Sequence, residues 1–292
     1  MHVRRMATVV LAPVAVMALL AGCGSSSKSS SSATKTASKT PPVIDIVAQG
    51  SKPWNFVLPS GGVTGGVVTV KLENKSTSDA HDIQFAKADA GHTADEIKQV
   101  VGSDNSAVPT WLHGYGGVST VGPGQTGEAT IDLPAGHYYY FCTEDTNGTP
   151  HLSNGMFGEL DVTGDSGAAM PAPTATIKAR EYAFDVSGLK AGDNTVEFSN
   201  VGQQLHMALL APISAGKTLD DVKKAMASND QNAQPPLDFE KGVGFEVVDP
   251  GRKIVATWNL AAGKYALLCF MSDHNDPTPH FVKGMLQEVD IA

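Results

Sequence analysis

The stretch Cys142-Thr-Glu-Asp-Thr-Asn-Gly-Thr-Pro-His151-Leu-Ser-Asn-Gly-Met156 decides the fold, because it occurs twice. The second copy reads Cys269-Phe-Met-Ser-Asp-His-Asn-Asp-Pro-Thr-Pro-His280-Phe-Val-Lys-Gly-Met285. Each copy holds one Cys, then Thr-Pro-His, then a Gly-Met whose Met lies five residues beyond that His. A thiolate, an imidazole and a thioether from one loop make a mixed soft and borderline donor set. Copper accepts that set in both of its common oxidation states, whereas calcium and magnesium prefer oxygen. A fourth donor is expected earlier in each copy, and His81 and His206 are the candidates. The loops therefore read as two mononuclear copper sites.

The surrounding landmarks keep step with the loops. His81 to His206 spans 125 residues, Cys142 to Cys269 spans 127, and Met156 to Met285 spans 129. Upstream of each candidate His lies an alternating apolar and polar run, Gly66 to Lys75 and Asn194 to Gly202, the pattern of a half-buried strand. After each His comes a helix-like segment that opens with a capping-box pattern, Thr93 to Val101 and Thr218 to Met226. A Pro-Gly turn and a strand follow (from Pro123 and Pro250), and then the run into the Cys. A final strand is expected after each Met, over 157–162 and 286–291. Thirty glycines, seventeen prolines and short regularly spaced strands imply an all-β antiparallel sandwich or barrel in each half, with a short helical insertion. The expected organisation is a first domain over 43–163, a linker over 164–173 and a second domain over 174–292.

These residues resemble the cupredoxin family of type 1 blue-copper proteins. The family places one His just after an Asn-containing strand end, and Cys, His and Met on the loop joining its last two strands. The resemblance implies two tandem Greek-key β-sandwiches with one copper ion each. It implies the ligands His81, Cys142, His151 and Met156 in the first, and His206, Cys269, His280 and Met285 in the second. The segment Pro150 to Leu160 further resembles the type 1 copper loop of copper nitrite reductases. At the level of residue type alone, other roles stand beside these: core packing for the Met residues, burial for His81 and His206, and a disulfide between Cys142 and Cys269. His274, in the longer second loop, is a possible competing ligand.

The start of the chain has a different character. A short basic stretch precedes the apolar run Met6 to Leu20, which is the length of a signal-peptide core. It ends in Leu20-Ala21-Gly22-Cys23, which resembles a bacterial lipobox and implies cleavage after residue 22 and lipid attachment at Cys23. Residues 23–42 are nearly all Ser, Thr, Ala and Lys and read as a flexible tether. The expected location is the bacterial cell envelope, on the extracytoplasmic side of the membrane. Five of the 21 basic residues lie in the first 44 positions and none of the 30 acidic ones, so the body carries a formal −14. Such a body argues against nucleic acid as a partner, because phosphate binding needs clustered Lys and Arg.

The resemblance implies electron transfer between a redox donor and a redox acceptor. Two rival functions remain: a carrier or storage protein for copper, and a two-domain copper oxidase or nitrite reductase. The enzymes need a second, His-rich copper centre, usually with a His next to the type 1 Cys. Here Cys142 is flanked by Phe141 and Thr143, Cys269 by Leu268 and Phe270, and no His-x-His pair occurs. The expectation is therefore a redox carrier and not an enzyme. Leu152 with Phe157, or Phe281 with Val282, are candidates for an apolar docking patch.

Overall fold

The computed structural model describes residues 39–103, 107–228 and 234–292; the proposed signal segment and most of the tether lie outside them. Alternation dominates what forms. In Gly66–Asn74 every second side chain from Val68 onward is buried, and Gly192–Asn200 repeats the pattern from Asn194. β-Branched and aromatic residues at the buried positions suit a pleated surface that faces a core on one side.

Nine strands belong to the first half: β1 (Val43–Gln49), β2 (Asn55–Val57), β3 (Val63–Thr64), β4 (Gly66–Asn74), β5 (His81–Ala88), β6 (Leu112–Val121), β7 (Thr126–Leu133), β8 (Gly136–Phe141) and β9 (Phe157–Thr163). Ten belong to the second: β10 (Ala175–Arg180), β11 (Ala183–Ser187), β12 (Gly192–Asn200), β13 (His206–Pro212), β14 (Val243–Val248), β15 (Lys253–Leu260), β16 (Gly263–Leu268), β17 (Ser272–Asp273), β18 (Asp276–Pro279) and β19 (Leu286–Ile291). The helical insertions are α1 (Ala94–Val101) and α2 (Leu219–Met226), and both expected capping boxes form, Thr93 with Glu96 and Thr218 with Asp221. Among the described residues no helix is long and apolar enough to cross a membrane.

The strands make two large sheets that both halves share. One runs β11-β10-β12-β15-β7-β4-β1-β2, the other β19-β16-β13-β14-β6-β5-β8-β9-β3. Read outward from the seam, each half contributes four matching strands in matching order to each sheet, with β3 added at one edge, so the sheets have a twofold-like arrangement about β15–β7 and β14–β6. One apolar cluster fills the space, drawing Ile46, Val70 and Ile131 from the first half and Ile177, Phe198 and Ile254 from the second. The described residues of both halves accordingly fall in one unit.

The two seams are built differently. Across β15–β7, Ile254, Val255 and Ala256 pair with Ile131, Thr130 and Ala129. Across β14–β6 only Val248 and Tyr115 pair, and side chains complete the join. The buried Gln84 amide donates to Val247 O (3.1 Å) and accepts from Val247 N (2.8 Å), acting as an extra strand residue would. Asp249 accepts from Gly114 N (2.8 Å) and from His113 Nδ1 (2.8 Å), while His113 Nε2 reaches Asp89 Oδ1 (3.1 Å). Arg252 lies over the Tyr115 ring at 3.4 Å.

His113 thus sits between two carboxylates, one from each half. Burial works to lower its pKa, but the hydrogen bonds and charges of Asp249 and Asp89 outweigh that and hold it above the ordinary value. A raised folded-state pKa means stability that is fully present below the unfolded value of about 6.5 and is lost as pH rises through the folded one. We expect His113→Gln to lower urea resistance at about pH 6 and to leave it near wild type at about pH 9. Equal losses at both values would refute a charged His113 at the seam.

Candidate metal centres

Both Cys-His-Met loops start where a central strand leaves the second sheet and end where its neighbour enters. Cys142 follows β8 and Met156 precedes β9; Cys269 follows β16 and Met285 precedes β19. The loop is pinned shut by backbone hydrogen bonds that repeat in both halves. Cys142 N donates to Met156 O (3.1 Å) and Met156 N to His151 O (3.1 Å). Cys269 N donates to Met285 O (3.2 Å) and Met285 N to His280 O (2.9 Å). The residue before each Met has to be glycine. Gly155 has φ 112°, and a Cβ there would stand 2.1 Å from Trp54 O; Gly284 has φ 135°, with Tyr182 O 2.8 Å away.

The upstream His residues arrive by a second repeated device. Asn74 is fully buried at the end of β4; its amide donates to Asp79 O (2.8 Å) and Val121 O (2.8 Å) and accepts from Ser76 N (2.8 Å). Asn200, at the end of β12, likewise bonds Gln204 O (2.7 Å), Val248 O (2.9 Å) and Gly202 N (3.0 Å). Each Asn fastens the turn that delivers His81 or His206 to the first position of the next strand.

The result is two buried clusters of the same shape. His81 Nδ1 and His151 Nδ1 are 3.0 Å apart and lie 3.8 and 3.6 Å from Cys142 Sγ. His206 Nδ1 and His280 Nδ1 are 3.2 Å apart and lie 3.9 and 3.6 Å from Cys269 Sγ. All six side chains are buried, and both thiols are free, so no disulfide joins the halves. Met156 and Met285 are fully buried in the core that also contains the two cysteines. The structure thus brings together three of the four donors expected in each half; the fourth, a Met on the same loop as the Cys, is buried in the same apolar cluster as that Cys.

Tautomers follow from the outer nitrogens. His280 Nε2 faces Asp273 Oδ1 at 2.9 Å and His206 Nε2 faces Glu181 Oε1 at 3.3 Å; carboxylates only accept, so both protons sit on Nε2. His151 Nε2 faces Thr146 Oγ1 at 2.9 Å, and that hydroxyl gives its own proton to Asp79 Oδ1 (3.0 Å). The Nδ1 atoms of His206 and His280 therefore point lone pairs at one another and at the sulfur; in the first half His151 Nδ1 has the lone pair, and His81, whose Nε2 has no partner, can donate to it from Nδ1 until a cation replaces that proton. Burial and the neighbouring His151 pull the His81 pKa down to about 4; burial and His280 pull that of His206 to about 4. The imidazoles are neutral donors. Burial pushes the Cys142 thiol well up and the Cys269 thiol up to about 12, which a bound cation reverses by coordinating the thiolate. An ion bonding N and S donors at about 2.0 to 2.3 Å leaves them about 3 to 4 Å apart, the spacing found. The donor set fits copper.

Neighbouring side chains individualise the clusters. Trp54 covers His151 with ring centroids 4.0 Å apart and donates from Nε1 to Asp79 Oδ2 (3.1 Å). Asp82 accepts from Thr143 N (2.7 Å) and bonds the Thr143 hydroxyl, strapping the residue after His81 to the residue after Cys142. Burial, then the Glu144 charge, push the Asp82 pKa up to about 7. Met207 and Phe270 occupy those positions in the second half, where no such strap exists. Trp54, Asp79, Thr146, Glu181, Tyr182 and Asp273 were not singled out by sequence reasoning; of these only Thr146 and Asp273 lie inside the quoted loops.

The other described histidines have other roles. His274 does not approach the cluster; its Nδ1 reaches Val108 O of the first half at 2.5 Å. His92 stacks on Trp111 with ring centroids 3.9 Å apart, and His137 contacts Asp161 and Glu159. Leu152 is buried beside Ile97 and Phe141, so it packs and does not present a docking surface, whereas Val282 is 62% exposed.

No protein-family model and no curated protein matches the chain. Among solved structures it is similar to an auracyanin from the photosynthetic bacterium Roseiflexus castenholzii, with 24% identity over 43% of this chain and 99% of that one, at a TM-score of 0.32. Auracyanin A, a blue copper protein from Chloroflexus aurantiacus, shows 26% identity over 42% of this chain and 100% of that one, at 0.32. A copper nitrite reductase from Nitrosomonas europaea spans 87% of this chain and 94% of its own, at 17% identity and 0.28. At these TM-scores the likenesses carry no functional argument, and the reading below rests on the chain's own donors.

The Asn clamps generate a stability prediction. Asn74→Ala and Asn200→Ala each delete three hydrogen bonds in a buried site and should each cost about 1 to 3 kcal/mol in urea unfolding of the metal-free protein. Losses below about 0.5 kcal/mol would show that the turns hold without them.

Proposed function

We propose that this chain is a copper-binding electron-transfer protein with one type 1 mononuclear site in each half. The observation that carries the reading is the pair of buried clusters in which two imidazole nitrogens and a thiol converge. His81, Cys142, His151 and Met156 would hold one ion, and His206, Cys269, His280 and Met285 the other. Bound copper supplies a one-electron couple, Cu(II)/Cu(I). The chain supplies donors already fixed by strands, hydrogen bonds and glycine-dependent turns, so little rearranges when the electron moves, which favours fast transfer. Met156 and Met285 would each add a weakly held thioether to their donor sets.

Two features favour electron transfer over catalysis or copper delivery. A catalytic copper centre built from several histidines would need a third donor group, and the remaining described histidines are engaged with Trp111, Asp249, Asp161 and Val108. A delivery protein would need donors that a recipient can reach, whereas these are buried. We further propose that each half is a cupredoxin domain of a duplicated pair, that Cys23 carries lipid, and that the protein works at the outer face of a bacterial membrane between a redox donor and a redox acceptor.

Loading with Cu(II) should give an intense thiolate-to-copper absorption band and the matching electron paramagnetic resonance signal, with two ions per chain. Cys142→Ser and Cys269→Ser should each remove one ion and about half of the band. If neither substitution altered the spectrum, the proposal would fail. Copper should also stay bound through repeated reduction and reoxidation; release on reduction would instead identify a carrier.

A further inference from the structure

The two clusters match at the donors and differ one shell out. In the second half both ligand imidazoles are backed directly by a carboxylate, His206 by Glu181 and His280 by Asp273. In the first half His151 is backed by the neutral Thr146 hydroxyl, and His81 Nε2 is buried with no hydrogen-bond partner among the described residues. The source of the difference is visible in the register. Ala48 pairs with Asn74 in β1–β4, and Ala179 pairs with Asn200 in β10–β12. Two residues beyond those alanines stand Gly50 in the first half and Glu181 in the second. Glycine offers no side chain where glutamate reaches the ligand.

Glu181 is held for that task. Its Oε1 accepts from Gln203 N (2.6 Å) and Gln204 N (2.7 Å) as well as from His206 Nε2 (3.3 Å). A Cβ at residue 202 would come within 2.4 Å of the same oxygen, so Gly202 makes the room. Ser76 stands at the register-equivalent position of the first half, two residues past Asn74. The next residue, Tyr182, bonds Asp273 through its hydroxyl, and Asp273 also takes Lys283 Nζ at 2.5 Å. Lys283 therefore offsets part of the Asp273 charge, while the Glu181 oxygen is met only by neutral N–H donors. Of the two carboxylates, Glu181 is the one whose charge reaches its ligand undiluted.

We propose that Glu181 holds His206 with its proton on Nε2 and lowers the reduction potential of the second copper centre, a role with no counterpart in the first. The inference rests on the copper reading above. A carboxylate hydrogen-bonded to a ligand imidazole fixes its orientation and makes it a stronger donor. The extra negative charge stabilises the more positive Cu(II) over Cu(I) in a site of low dielectric.

The test uses full-length protein carrying Cys142→Ser, so that only the second centre binds copper. Adding Glu181→Gln keeps an acceptor oxygen of the same size at the same place and removes the charge. The equilibrium constant for reducing the centre should rise about tenfold, which is about 59 mV for a one-electron couple. If the Gln variant binds weakly, chelator competition against each oxidation state gives the same ratio, with Cu(II) affinity falling about tenfold more than Cu(I) affinity. Glu181→Gln in a Cys269→Ser background should leave the first centre unchanged. In metal-free protein, 15N shifts should report Nε2-protonated His206, and Glu181→Ala should bring in the other tautomer. A constant that moves less than about twofold, or a tautomer indifferent to Glu181→Ala, overturns the proposal. Absence of any copper band in the Cys142→Ser protein would instead sink the copper reading itself.

Discussion

The structure depends on two places where buried donor atoms converge from separate chain segments. In each half two neutral imidazoles turn Nδ1 toward each other at 3.0 or 3.2 Å, with a buried sulfur completing the triangle. In the second half carboxylates hold both protons on the outer nitrogens, so there the two Nδ1 lone pairs face one another. Buried lone pairs facing one another cost free energy in proportion to the solvation they have lost. The fold holds such a triangle twice, at equivalent places, and restrains each donor by separate hydrogen bonds. A soft cation seated in either triangle would bond all three donors and offset the solvation they have lost.

That restraint explains why the sheets are arranged as they are. The upstream His begins a strand, the Cys ends its sheet neighbour, and the loop His and Met lie on the connection back into the sheet. Three chain segments must therefore keep register to within a fraction of an ångström. Buried Asn side chains at 74 and 200 hold the first segment, and the Cys-to-Met backbone bonds hold the other two. The halves then brace one another through both sheets, with Gln84 and Asp249 filling in where β14 and β6 pair only once. His274 extends the brace from the second loop itself.

The clustered His and Cys side chains were legible because their chemistry is rare and their spacing recurs: Cys, Pro-His and Gly-Met return at a nearly constant interval. The alternating runs at 66–74 and 192–200 marked strands for the same physical reason they form them, one face in the core. Other strands left no such trace. The strand at 112–121 carries Gly114, Gly116 and Gly117, which lower strand propensity; a Cβ at Gly117 would fall 1.8 Å from Ile83 O, so close packing dictates the glycine. The first strands of each half, 43–49 and 175–180, pair in parallel with distant partners, and nothing local announces such pairing. The sharing of both sheets between halves was equally silent, because the seam residues read as ordinary strand residues.

The outer shell of the ligands was invisible for a more instructive reason. Glu181 lies 25 residues before His206, on a segment that pairs with neither copper loop, and only the parallel register of β10 on β12 brings it there. The same register places Gly50 in the first half, so one position relative to the buried Asn separates a charged imidazole partner from none. The two halves agree at the clustered donors and differ in the next shell, where a change would alter a bound ion's preferences without removing a donor. Two centres of identical donors, one backed by carboxylates and the other by Thr146, Asp79 and Trp54, are therefore not redundant copies. The differences that set them apart were written in residues whose roles depend on three-dimensional register, and no motif scan confined to the loops would reach them.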